Sequence, residues 1–139
     1  MVQRKTGAAG PAATAATDET WSEAELADIR SELAADLERI NAEVAALQTS
    51  LAEFLRDGGD GAGDDQADTG AKAFEREQGL TLLANARETL FQTERALARL
   101  TDGTYGACES CGASVGKLRL QAFPRATLCV SCKQRQERR

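Results

Sequence analysis

Tyr105–Lys133 reads YGACESCGASVGKLRLQAFPRATLCVSCK and holds all four cysteines of the 139-residue chain. They fall as Cys108-x-x-Cys111 and Cys129-x-x-Cys132, with seventeen residues between the pairs. Cysteine pairs at this spacing are the signature of a structural zinc site. Two thiols three residues apart converge on one point when the backbone between them turns tightly. Gly106 and Gly112 flank the first such turn, where free backbone angles and close approach are needed. Four thiolates complete a tetrahedral shell and leave no position for water or substrate. One structural Zn2+ on Cys108, Cys111, Cys129 and Cys132 is therefore expected. Two disulfides, a redox pair or a chance spacing are the alternatives. A segment this short cannot bury enough apolar surface to fold alone, so ligation would supply much of its folding free energy.

Composition limits the rest of the chain. Aromatic residues make up only 4% and the net charge is −5, which argues against a large globular core. Alanine, leucine and glutamate dominate before residue 100, as in long helices. No run of about 18 apolar residues occurs, so no membrane span is expected. Arg4 and Lys5 precede an Ala/Thr/Gly stretch that makes a poor signal peptide. One metal site accounts for every cysteine, which suits a reducing interior and predicts a cytoplasmic protein.

Residues 1–18 (MVQRKTGAAGPAATAATD) are small, polar and repetitive, and predict a disordered tail. The hairpin that follows is expected over 19–102. Ser22 and Glu25 form a capping box, with Trp21 and Leu26 at the positions of a hydrophobic staple. Leu26, Ile29, Leu33, Leu37, Ile40, Val44, Leu47, Leu51 and Phe54 then step by threes and fours, a heptad seam with one stutter around Leu33 and Leu37. A helix from Ser22 to about Leu55 would be roughly 50 Å long. Residues 56–70 (RDGGDGAGDDQADTG) predict an acidic loop, whose spacing matches no calcium loop. Helix resumes over Ala71–Leu100 with Leu83, Ala86, Leu90, Thr93, Leu97 and Leu100 on one stripe, weakened near the loop by Gly79. Two such stripes joined by a polar link predict a mainly α fold. It is a long antiparallel two-helix coiled-coil hairpin with the acidic loop at its tip and the zinc finger of 103–139 at its base. A short final helix is expected over Cys129–Arg138.

The chain has no histidine, no phosphate loop and no nucleophile beside a base, so no enzyme activity is expected. Recognition remains. The cysteine spacing is also that of GATA-like DNA-binding zinc fingers, and from Lys117 onward seven basic residues face one acidic one. Against a DNA reader stand the negative overall charge and a long acidic rod. Such a rod suits a protein that places a tip somewhere narrow.

The finger resembles the DksA/TraR family of four-cysteine zinc-finger proteins. The likeness is carried by Tyr105-Gly106-x-Cys108-Glu109-Ser110-Cys111-Gly112 and by Arg119-Leu120-x-Ala122-x-Pro124-x-Ala126-x-Leu128-Cys129-x-x-Cys132-Lys133. It continues without a gap through the second helix to the tip, about half the chain, while the first helix agrees only in kind. The resemblance implies a regulator that binds RNA polymerase and inserts its hairpin through the secondary channel, and the chain is expected to be a monomer. It would modulate transcription initiation without specific DNA contact. The family's tip motif, Asp-x-x-Asp-x-Ala, falls on Asp65, Asp68 and Gly70, with glycine in place of alanine. Some members bind the alarmone guanosine tetraphosphate through basic residues. Asn85 and Gln92 stand at two of those positions and Lys133 at a third, so weak or lost alarmone binding is expected.

Overall fold

The computed structural model describes residues 20–58 and 66–138. The tail expected over 1–18 lies outside them, as do Asp60, Asp64 and Asp65 of the acidic segment. Four helices occur among the described residues: α1 (Glu23–Gly58), α2 (Gln66–Asp102), α3 (Lys117–Ala122) and α4 (Val130–Glu137). The described residues contain no strand; a single bridge pairs Ala107 with Ser114. They divide into two units, 20–35 with 92–138 and 36–58 with 66–91.

The unit of 36–58 and 66–91 is a helix pair. Ile40 and Val44 of α1 bury against Leu83 and Ala86 of α2, with Leu47, Leu51 and Leu90 packed around them. Later residues of α1 meet earlier ones of α2, so Leu51 lies against Gly79 and the two segments run antiparallel. These are residues of the two stripes read from the sequence. Their burial, and not helix propensity, supplies most of the stability of such a pair.

The second unit joins the other ends of the same helices to the cysteine module. The capping box closes α1 as expected: the Ser22 amide donates to Glu25 Oε1 at 2.9 Å, and the Glu25 amide to Ser22 Oγ at 3.0 Å. Ile29, Leu33 and Ala96 form one core cluster, flanked by Trp21, Leu97, Leu100 and Tyr105. Cys108, Val115, Leu120 and Cys132 form another, against which Trp21 and Tyr105 also pack. The two aromatic rings meet edge to face, 5.8 Å between centroids, and so tie both clusters together.

The elements differ from the sequence reading in three respects. Residues 56–58 and 66–70, expected in the acidic loop, are helical. A glycine costs only about 1 kcal/mol inside a helix, and extending a formed helix is far easier than nucleating one. Asp68, in the first turn of α2, also suits the positive end of the helix dipole. The second difference is α3, six residues long and too short to show a period. It starts after Gly116, whose φ is 105°, and buries Leu120 completely. Finally, α4 begins one residue after Cys129, which serves as its N-cap in an extended conformation.

Candidate metal centre

The first cysteine pair sits on a tight turn built by backbone hydrogen bonds. The Cys108 amide donates to the Ala113 carbonyl at 2.7 Å, and the Gly112 amide donates back to the Cys108 carbonyl at 2.9 Å. Gly112 takes φ 80° and Gly106 takes φ 101°, both in the left-handed region where a side chain would be strained. The second pair is held differently. Cys129 caps α4 and Cys132 lies in its first turn, with the Lys133 amide donating to the Cys129 carbonyl at 2.9 Å. The Glu109 amide reaches the Thr127 carbonyl at 2.9 Å and so stitches the two halves together.

These turns bring the four sulfurs within 4.8 Å of one another. Cys111 Sγ and Cys129 Sγ are 3.8 Å apart. A tetrahedron with Zn–S bonds of about 2.3 Å has sulfur edges of about 3.8 Å, so the donors fit zinc. No disulfide joins them, and a cluster of four sulfurs with a 3.8 Å edge suits one shared ion better than two S–S bonds. Cys108 and Cys132 are buried while Cys111 is exposed. Burial pushes the Cys108 thiol up, but hydrogen bonds from the amides of Cys129, Cys111 and Ser110 and from the Cys132 side chain outweigh it and hold the group at about 6. The Ala113 amide lowers the Cys111 thiol, but hydrogen bonds with the Cys108 and Cys132 side chains, burial and Cys129 outweigh it and push that group up to about 11, so of the two Cys108 is the readier thiolate. With four protein ligands the ion has no open position, so its role is structural.

Ion pairs and hydrogen bonds clasp this module to the helices. Arg95 and Arg99 of α2 both reach Glu109, the residue between Cys108 and Ser110 in the first turn. Arg99 also donates to the carbonyls of Thr104, at 2.9 Å, and Ala107. On the α1 side, Lys117 Nζ bonds Glu25 at 2.8 Å and the Thr20 carbonyl at 3.1 Å, and lies 5.4 Å from the Trp21 ring centroid. The hydrogen bond from Lys117 comes first among the causes that lower the Glu25 pKa. The Tyr105 hydroxyl donates to the Pro124 carbonyl at 2.9 Å. Burial, then the charge of Glu32, pushes that phenol up to about 12, so it stays a donor.

The four cysteines read from the sequence are therefore brought together. Asp68 and Gly70 stand exposed in the first turns of α2, in the other unit, and Asp65 lies outside the described residues. Asn85 is exposed on α2, and Lys133 on α4 is 3.9 Å from Glu137. The clasp was missed. Its one sequence signal was an acid inside a Cys-x-x-Cys turn, with arginines at 95 and 99 on one helix face just upstream.

Comparison with known proteins agrees with this geometry. The family model of the prokaryotic dksA/traR C4-type zinc finger matches residues 103–138. The RNA polymerase-binding transcription factor DksA of Escherichia coli K12 is 32% identical over 120 residues, covering 84% of this chain and 74% of that protein. The protein of the same name from Caulobacter vibrioides NA1000 is 37% identical over 75 residues. That match covers 54% of this chain and only 53% of the Caulobacter protein, about half its length. Among solved structures, transcription factor DksA2 from Pseudomonas aeruginosa superposes with a TM-score of 0.65 at 31% identity, covering 84% of this chain and 86% of that one.

Proposed function

We propose that this chain, which belongs to the DksA/TraR family, is an RNA polymerase-binding regulator of transcription initiation whose zinc finger is a scaffold. The observation that carries the reading is the 120-residue likeness to the Escherichia coli factor, which spans helices and finger together. In this reading the hairpin enters the secondary channel of the polymerase and presents Asp65 and Asp68 near its catalytic centre. Carboxylates there would act on the charge and metal environment of the enzyme, while this chain performs no chemistry of its own. Gly70 takes the place of the family's alanine, and the protein acts as a cytoplasmic monomer. Asn85 and Gln92 carry no charge for an alarmone phosphate, so Lys133 alone gives weak coupling.

The GATA-like reading loses its support. The matching finger model is that of the dksA/traR type, and a chain of net charge −5 is repelled by phosphates except at its basic end. No helix among the described residues is long and apolar enough to cross a membrane.

The test is transcription from a promoter with an unstable open complex. Asp65→Ala with Asp68→Ala removes two charges, and Asp68 is exposed and belongs to none of the three core clusters, so fold and polymerase affinity should hold while regulation is lost. A double variant that regulates as well as the parent would reduce the protein to an occupant of the channel.

A further inference from the structure

Zn2+ bound by four thiolates carries a formal excess of two negative charges. Two of the sulfurs here, on Cys108 and Cys132, belong to residues only 3% and 4% exposed. Anionic sulfur removed from water needs donors, and a full positive charge serves better than a neutral amide. On Cys108 the donors are neutral, the Ser110 amide at 3.4 Å among them. On Cys132 it is charged: Arg135 Nη2 lies 3.0 Å from Sγ.

The contact follows from helix geometry. Arg135 stands three residues after Cys132 on α4, so both side chains lie on one face. The chain ends in a run of cations that solvent would accommodate equally well pointing outward. Lys133 does so, 43% exposed beside Glu137. Arg135 instead turns back onto a metal-ligand sulfur.

We propose that Arg135 is the charge partner of the zinc tetrathiolate, and that its hydrogen bond to Cys132 slows the loss of the ion. The guanidinium offsets part of the negative excess and fixes the Cys132 sulfur against α4, where it faces the ion. Outer partners of this kind commonly change metal affinity by about 10- to 100-fold.

The experiment mixes the full zinc-loaded chain with excess chelating dye and follows zinc transfer for the parent, Arg135→Gln and Arg135→Lys. The Gln variant should release zinc about tenfold faster or more, and the Lys variant at an intermediate rate. A second readout is the cobalt-substituted chain. Removing a hydrogen bond raises the energy of the sulfur lone pairs, so the sulfur-to-cobalt charge-transfer band of Arg135→Gln should move to longer wavelength. Release at the parent rate with an unmoved band would overturn the proposal and leave Arg135 a surface cation. Should Arg135→Gln fail to fold, the parent alone decides: added salt should speed its release, and a rate indifferent to salt contradicts the assignment. No step involves polymerase, so failure here is separate from failure of the proposed function.

Discussion

Gly70→Ala tests where α2 begins, and its outcome is opposite in the two possible cases. Gly70 is the fifth residue of the helix, and a β-carbon built there meets nothing within 4 Å. Alanine in a helix interior is favoured over glycine by about 0.8–1.0 kcal/mol. The first turns of a helix fray, so about half of that is expected, roughly 0.5 kcal/mol, or a rise of about 2 °C in melting temperature for a chain of this size. Gly79→Ala is the control. It carries the same propensity gain, but its β-carbon would sit 3.3 Å from Leu51 Cδ1, so Leu51 must yield and the net gain should be smaller. Both variants are compared by thermal and urea unfolding of the zinc-loaded protein. Destabilisation by Gly70→Ala would refute the reasoning, because it would mean that the backbone at 70 needs angles that only glycine accepts.

Three further outcomes follow from the centre and its clasp. Glu109→Ala removes the acceptor shared by Arg95 and Arg99 and should cost about 1–2 kcal/mol by denaturant unfolding, the range of a charge-assisted hydrogen bond between partly exposed groups. Cys129→Ser leaves three thiolates; metal analysis should then find less than the one zinc per chain expected of the parent, and the finger should lose its cooperative transition. Glu25 has its pKa lowered by Lys117, so its contribution is present above the ordinary carboxylate value of 4.5 and disappears as pH falls through the lower folded value. The stability difference between the parent and Glu25→Gln should accordingly shrink in acid, and a difference that grows there would contradict the pairing.

The seams were legible because burial repeats. Ile29, Leu33, Ile40 and Val44 are buried and were all on the first stripe read from spacing; Leu83, Ala86 and Thr93 were on the second. The metal ligands were legible because four cysteines in two pairs leave few other chemistries. Helix ends were not. Glycine and aspartate at 57–70 signal a loop by local preference, and a long packed helix overrides such preferences at its margins. The clasp was hidden for a different reason. Glu25 and Lys117 are 92 residues apart, and nothing in the order of residues brings them within 2.8 Å. Arg135 was read as one of a run of tail cations, since direction is a property of the folded helix and not of composition.

Mixing the purified zinc-loaded chain with core RNA polymerase and following co-elution by size exclusion, beside a gel-shift titration on random duplex DNA, tests the central claim most directly. The chain should move with the polymerase at moderate salt and leave the duplex unshifted. Tight, sequence-selective DNA binding with no polymerase association would contradict the account.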